Sequence, residues 1–275
     1  MKKILVLVFA MVMSANCRAQ IPWGKLIEIA GTIISTASTL ASNMNSTHTK
    51  DLNKGIELCE INDYKRALDF LTLVNEDDYD AVRVEAFFYR GICYMGLEEY
   101  DIAIKLFDKA INFETTFFTF EKDKIKEFQE EMQLLKEIAY AMALDSPNSD
   151  NFIKGMNNII ALRHIINNTK SKDPFNIDEK EENYCTKAFV FFSKVSQNDK
   201  TLLRVMAYKY MGLISFRNIF VMKNPSEEKR LKKIEETFRY MTQITNITTS
   251  QYDKYRDEII KCQNDVKKFL NFERL

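Results

Sequence analysis

The chain contains few of the residues that build tight turns, with 7 glycines and 4 prolines among its 275 residues. All-β folds need many such turns, so this scarcity argues against them and favours helices. Hydrophobic residues make up 46% of the sequence and charged residues 28%, the balance of a folded protein rather than a disordered one. The composition therefore predicts an all-α chain that is long enough to bury its own core.

Histidine, the usual general base near neutral pH, occurs only at His48 and His164. His48 lies in a polar linker, and His164 has no serine, cysteine or acid at a spacing typical of a catalytic group, so we interpret both as structural or solvent-facing. The sequence also lacks a glycine-rich phosphate-binding loop, a nucleophile elbow and an HExxH zinc motif. We therefore predict a protein that is not an enzyme, with no catalytic residue, no cofactor and no metal site.

Neither sign of charge is in excess, since 39 basic side chains face 39 acidic ones. Nucleic-acid binding usually requires a basic surplus, so we predict no nucleic-acid partner. The densest basic run, residues 229–233, is flanked by glutamates on both sides. We interpret this run as a solvated helix face.

The first 19 residues are typical of a secretory signal peptide. Two lysines precede an unbroken apolar run of ten residues, 4–13, which is about half the length that a membrane-spanning helix requires. Small residues at Cys17 and Ala19 predict cleavage before Gln20; the alternative is a lipid anchor on Cys17, as in lipoprotein signals. Either route predicts an exported protein that is periplasmic, outer-membrane-associated or secreted. No later apolar run is long enough to predict a transmembrane span.

Residues 20–49 are predicted to form an amphipathic N-terminal helix and a polar linker. Between 25 and 45, apolar residues recur at spacings of three and four, which is the periodicity of one helix face. We interpret this helix as packed on the body of the protein, and a dimerisation helix or a membrane-surface helix are the alternatives. Its polar face lacks lysine and arginine, which disfavours the membrane alternative.

Residues 50–117 contain a pattern that recurs after 36 residues, the distance from Gly55 to Gly91. Each copy places a glycine on one helix and an alanine followed by a large apolar residue on the next. The matching positions of the second copy are Phe87, Gly91, Tyr94, Tyr100, Ala103, Phe107 and Ala110. Those of the first copy are Gly55, Leu58, Tyr64, Ala67 and Leu71. The pattern resembles the tetratricopeptide repeat, a helix pair with a period near 34 residues.

The residue types at these positions suit two helices that cross closely. Gly91 and Ala103 are small because the helices meet there, and residues 96–99 are interpreted as the turn, with Gly96 at its start. Phe87 in place of the family's tryptophan, and the missing closing proline, indicate a divergent member. Because one pair cannot bury its apolar face alone, the resemblance implies that pairs stack into a superhelix.

A second junction between helix pairs is predicted at 183–217. Ala67 and Gly91 are 24 residues apart, as are Ala188 and Gly212. At several positions between Ala67 and Gly91, the residue is similar to the one 121 positions later in the chain. The repeat architecture is therefore expected to return in the second half of the chain.

The rest of the chain is predicted to be helical, and residues 118–275 are expected to form further tetratricopeptide-like pairs and a C-terminal capping helix. A polar loop at 170–182 is the best hinge candidate. The expected helices lie at 119–144, from 149 or 150 to about 168, from the turn at 224–228 to about 247, and at 251–272. The fold prediction is an all-α superhelix, a tetratricopeptide-like solenoid of about 11 helices.

Four cysteines follow the signal segment, at Cys59, Cys93, Cys185 and Cys262. They include no CxxC pair, so zinc is not predicted. Each lies within a helical pattern, and we interpret each as a small apolar filler. If a disulfide forms, Cys59 with Cys93 is the first pair to consider, because both would lie on first helices of adjacent repeats.

The resemblance also implies a partner-binding groove. In tetratricopeptide proteins the first helices line a concave surface that takes a peptide. The corresponding positions here are Leu52, Ile56, Glu85, Phe88, Ile92, Met95, Lys209, Leu213 and Phe216. The alternative is that the N-terminal helix at 25–45, or a neighbouring helix, fills this surface, since an open apolar groove on an exported protein favours aggregation.

The leading functional prediction is an exported adaptor or scaffold that binds a protein or peptide partner through this groove. One alternative is a component of an envelope assembly or secretion machine, which a lipid on Cys17 would favour. Another is a carbohydrate-capture protein on a tetratricopeptide scaffold. Such proteins usually expose tryptophans, and the only tryptophan here is Trp23.

Overall fold

The computed structural model describes residues 48–78, 80–113, 122–168, 179–198, 202–221, 226–250 and 253–272. Within these ranges the chain forms ten α-helices and no strand, which confirms the predicted all-α class. The helices are α1 (Thr49–Glu60), α2 (Tyr64–Leu71), α3 (Asp80–Gly96), α4 (Tyr100–Ile111), α5 (Lys122–Leu144), α6 (Ser149–Asn168), α7 (Glu179–Asn198), α8 (Leu202–Val221), α9 (Glu227–Thr245) and α10 (Arg256–Phe272). The predicted signal segment and the predicted helix at 25–45 lie outside the described residues, as does most of the predicted loop at 170–182.

Local signals explain where the last two helices begin. Ser226 caps α9 because its hydroxyl accepts a hydrogen bond from the Lys229 backbone N–H, and two glutamates follow in the first turn, where negative charge is favoured. The last helix begins at Arg256 rather than at 251, because residues before it form a turn in which the Ser250 N–H donates to the Asp253 carboxylate at 2.7 Å. Predicted helix ends elsewhere agree with the structure to within a few residues.

The helices pack mainly against their neighbours in the chain and divide into two compact units, residues 1–133 and 134–275. In the first unit α1 packs on α2, α3 packs on α4, and α3 also contacts both α1 and α2. In the second unit α6 packs on α7, α7 on α8, α8 on α9, and α9 on α10. The long helix α5 contributes its beginning to the first unit and its end to the second.

In the first unit, a glycine marks the crossing point of each helix pair. A Cβ atom at Gly55 of α1 would lie 2.5 Å from Cγ of Leu71 on α2. A Cβ atom at Gly91 of α3 would lie 2.6 Å from Cε1 of Phe107 on α4. These distances are shorter than carbon atoms tolerate, so the missing side chain is what allows the helices to approach.

The second unit has the same arrangement in two further pairs. A Cβ atom at Gly155 of α6 would lie 2.6 Å from Cε1 of Phe192 on α7. A Cβ atom at Gly212 of α8 would lie 2.6 Å from Cε of Met241 on α9. Four described helix pairs therefore place a glycine of the earlier helix under a large side chain of the later one.

The turns of the first two pairs repeat one another after 36 residues. Asn62 and Glu98 both adopt left-handed backbone conformations, with φ of 64° and 63°. The residue after each donates its backbone N–H to a carbonyl of the preceding helix: Asp63 to Leu58 at 2.9 Å, and Glu99 to Tyr94 at 2.8 Å. The two pairs thus end their first helices with the same backbone geometry.

Gly96 lies at the edge of the expected turn at 96–99. Gly96 is not the left-handed residue of the turn but the last residue of α3, and Glu98 takes the left-handed conformation instead. The ring of Tyr64, at the start of α2, lies directly against Gly96, where any Cβ atom would clash. Gly96 is therefore required by packing between α2 and α3 rather than by the turn.

Candidate functional site

Most of the predicted groove positions in the first unit are buried. Ile56 is half-buried, whereas each of the remaining five is at most 4% exposed. These five residues are Leu52, Glu85, Phe88, Ile92 and Met95. An open groove requires accessible side chains, so these five residues are packed side chains and do not offer a free surface. The helix at 25–45, the alternative occupant of this surface, lies outside the described residues.

The predicted positions in the second unit are more accessible. Lys209, Leu213 and Phe216 follow one another at spacings of four and three on α8, which places them along one face of that helix. The Lys209 side chain is 30% exposed, Leu213 is 44% exposed and Phe216 is half-buried. We call these three residues the α8 stripe. Of the nine predicted positions, Leu213 is the large apolar residue with substantial exposure.

The ammonium group of the α8 stripe already has a partner within the chain. Lys209 donates to Glu137 of α5 at 2.8 Å, and Glu137 is buried. Burial by itself lowers the pKa of Lys209, but the Glu137 carboxylate and this hydrogen bond raise the pKa above its usual value. Lys209 is therefore charged at neutral pH and held in place. Any partner on this surface meets a paired lysine and an exposed Leu213.

The ion pair of Lys209 belongs to a larger polar cluster inside the second unit. Burial raises the pKa of Tyr210, and the hydrogen bond that its hydroxyl makes with Glu137 raises it further. Lys136, next to Glu137 on α5, is 1% exposed and lies 3.2 Å from Glu258 of α10. Because buried charges need partners, these contacts fix α5 against α8 and α10.

Lys136 and Glu137 are not among the predicted site residues, although the sequence around them carries a signal. All residues from 134 to 141 are buried, and this charged pair interrupts an otherwise mainly apolar run. A helix that is buried on every side accommodates charge only if partners exist elsewhere in the fold. Those partners lie 72 and 122 residues further along the chain, so helical periodicity does not reveal them.

Glu85 differs from Glu137 because this buried acid forms no ion pair with a described residue. It lies on α3 and is 3% exposed, and its Oε1 atom has no hydrogen-bond partner among the described residues. Burial raises the pKa of Glu85 from 4.5 to about 8. Its carboxyl group is therefore mostly protonated at neutral pH. A buried polar atom without a partner is a strained element of the core, or a group that gains a partner when something binds.

Two cysteines of the first unit meet in its core. The sulfur atoms of Cys59 on α1 and Cys93 on α3 are 3.4 Å apart, and both residues are completely buried as free thiols. Cys185 of the second unit instead accepts a hydrogen bond from Arg217 at 3.2 Å. Burial raises the pKa of Cys185 and outweighs the opposing effect of the guanidinium, so this thiol is not an activated nucleophile.

The structure describes the side chain of one of the two histidines, His48. His48 precedes α1, and its Nδ1 atom lies 2.8 Å from a carboxylate oxygen of Asp78. The same oxygen accepts the Asn75 backbone N–H at 2.9 Å, so His48 helps to fix the loop before α3. The side chain of His164 lies outside the described residues.

Among the described residues, no group of three or more histidine, cysteine or acidic side chains is arranged to hold a metal ion. None of the ten described helices combines the length and the apolar character needed to cross a membrane. Comparisons with protein-family models, with curated proteins and with solved structures find no match to this chain.

Proposed function

We propose that this chain is an exported, non-catalytic helical-repeat protein of the tetratricopeptide type that binds a protein or peptide partner. The glycine crossings of its helix pairs are the observation that carries this proposal. A glycine under a large side chain recurs in α1–α2, α3–α4, α6–α7 and α8–α9. Stacked pairs of this kind form a superhelix whose earlier helices line an extended binding surface, the main use of such scaffolds.

The α8 stripe is the proposed contact surface. It lies on the earlier helix of its pair, the position that lines the concave side in a tetratricopeptide superhelix. Leu213 is 44% exposed and supplies an apolar anchor. The Lys209–Glu137 ion pair fixes the side chain one turn before it. An exposed leucine beside an ordered polar group is a suitable anchor for an apolar side chain of a peptide.

Site-specific cross-linking in the producing cell tests this proposal. A photoreactive phenylalanine replaces Leu213 in one variant and Leu231 in another, because Leu231 lies on α9 of the same unit and is 53% exposed. We expect a discrete cross-linked partner from position 213 and none from position 231. Equal labelling from both positions, or no labelling from either, contradicts binding through the α8 stripe.

A charge substitution provides the second arm of this experiment. Leu213→Glu is expected to abolish capture of the partner found by cross-linking, whereas Leu231→Glu is expected to preserve it. Both residues are exposed, so both variants should fold, which circular dichroism checks. The same experiment bears on the envelope-assembly alternative, which differs only in the identity of the captured partner.

A further inference from the structure

The two thiols of the first unit are brought together by two different helices. Cys59 lies near the end of α1 and Cys93 lies within α3, and these helices pack against each other. The sulfur atoms are 3.4 Å apart, and neither residue has any exposed surface. Cysteines that only fill apolar space do not need their sulfur atoms to be in contact, so this proximity calls for a further explanation.

The repeat symmetry does not produce this contact. With a repeat of 36 residues, the position of Cys59 corresponds to Met95, and the position of Cys93 corresponds to Glu57. Met95 is 1% exposed in the core, whereas Glu57 is exposed. The cysteines therefore occupy two non-equivalent repeat positions, and only the packing of α1 on α3 brings them together.

We propose that Cys59 and Cys93 form a disulfide bond that joins α1 to α3, with an organic disulfide as the oxidant. One cysteine thiolate attacks a sulfur of the oxidant, which forms a mixed disulfide and releases one thiol. The second cysteine then attacks the first at the mixed disulfide, and the other half of the oxidant leaves as a thiol. The protein loses two protons and two electrons, and the oxidant gains both.

The side-chain movement required is small. A disulfide has a sulfur–sulfur distance of about 2.0 Å. The two sulfur atoms, now 3.4 Å apart, need to approach by a distance that rotation of the two side chains can share. The backbones of α1 and α3 can then keep their packing, and the bond closes a loop that spans 34 residues of sequence.

The environment of the pair determines when the bond can form. The hydrogen bond between the two thiols raises the pKa of Cys59, and burial raises it further. The thiol of Cys59 therefore stays protonated in the folded state, and the oxidant has no access to either buried sulfur atom. The bond should close while the chain folds, when the sulfurs are still accessible. Once the helices have packed, the bond should resist reductants.

Refolding of the full chain tests the proposal directly. The test uses a variant with Cys17, Cys185 and Cys262 replaced by alanine, so that Cys59 and Cys93 are the only thiols. The reduced, denatured protein is refolded with oxidised and reduced glutathione, denatured again without reductant and alkylated with N-ethylmaleimide. We expect no alkylation and a cross-linked peptide that contains residues 59 and 93. Alkylation of both thiols overturns the proposal, as does a bond between two chains or a stable mixed disulfide with glutathione.

Thermal unfolding provides a second measurement on the same variant. The oxidised protein should unfold about 10 °C higher than the same protein reduced with a phosphine in denaturant and refolded without oxidant, because the bond restricts the unfolded chain. A further Cys59→Ala substitution should remove this response to reductant. An equal or lower midpoint in the oxidised protein overturns a native disulfide. These experiments do not involve α8, so their outcome is separate from that of the partner-binding proposal.

Discussion

The two units of the chain accommodate buried acidic side chains in different ways. In the first unit the carboxyl group of Glu85 is enclosed with no cation beside it in the described part of the chain, and its raised pKa keeps it mostly neutral at pH 7. In the second unit Glu137 is equally enclosed but forms an ion pair with Lys209 at 2.8 Å. The same helix-pair design thus permits a neutral acid in one core and an ion pair in the other, and the two should respond to mutation and to pH in different ways.

The largest effect is expected from Glu137→Ala. This substitution removes the partner of Lys209 and an acceptor of Tyr210, so it should lower the free energy of unfolding by about 3–5 kcal/mol. Urea denaturation measures the change. The double variant Glu137→Ala, Lys209→Met should recover part of the loss, because it no longer leaves a cation without its partner. If the double variant is as unstable as the sum of the single variants, the two residues are not coupled.

The next largest effect concerns Glu85 and depends on pH. The pKa of Glu85 in the folded state, about 8, lies above the usual value of 4.5. Between pH 4.5 and pH 8 the folded protein therefore holds a proton that the unfolded chain has lost. Stability should therefore fall as pH rises from 4.5 to 8. Glu85→Gln cannot ionise, so it should gain a few kcal/mol relative to the parent between pH 5 and pH 9.

Urea denaturation of both proteins across this range tests the prediction for Glu85. The difference between parent and variant isolates the titration of this group, because all other titrations are common to both proteins. Glu85→Asp serves as a control that retains an ionisable group and should keep the pH dependence. A constant difference across the pH range contradicts the burial of a neutral carboxyl group at this position.

A smaller effect distinguishes two of the glycine crossings. In Gly91→Ala the new methyl group meets the rigid ring of Phe107, so we expect a loss of about 1–3 kcal/mol. In Gly212→Ala it meets the terminal methyl of Met241, which can move aside. The higher helix propensity of alanine, about 1 kcal/mol over glycine, should then offset most of the strain. Equal losses in both variants, measured by thermal denaturation, would show that side-chain flexibility does not decide the outcome.

The smallest effect on stability is expected from Leu213→Glu in the α8 stripe. Leu213 is 44% exposed, so the change in unfolding free energy should stay within about 0.5 kcal/mol. Partner capture should nevertheless be lost if the proposed surface is correct. A large loss of stability in this variant would place Leu213 in the core and argue against its role as an anchor.

Sequence periodicity predicted the helices well because the core residues follow the helical repeat. The starts of α5 and α6, for example, lie within a few residues of the expected positions at 119 and 149. The packing of α1 on α3 also follows from the expected neighbourhood of the first helices in adjacent repeats, although the repeat does not specify the cysteines at that contact. In each case the information is local, or it is repeated at a fixed period.

Helical periodicity did not predict two features of the structure. The burial of Phe88 and Ile92 depends on what packs over α3, which helical periodicity does not specify. The pairing of Lys209 depends on Glu137 in a helix 72 residues earlier, at no repeat spacing. Side-chain partners between distant helices are set by tertiary packing. The sequence alone therefore does not predict which of the nine groove positions are accessible.

The matched turns at Asn62 and Glu98 make the first unit modular. A segment that begins at residue 64 and ends at residue 99 starts and finishes in the same backbone conformation, since both preceding turns share their φ angles and hydrogen bonds. If this segment were duplicated, the two copies would be joined by the same type of turn. Each new helix would then pack against a helix of the kind that it already contacts. The chain can therefore be lengthened by whole segments of this kind, which gives evolution or a protein engineer a simple way to enlarge its surface.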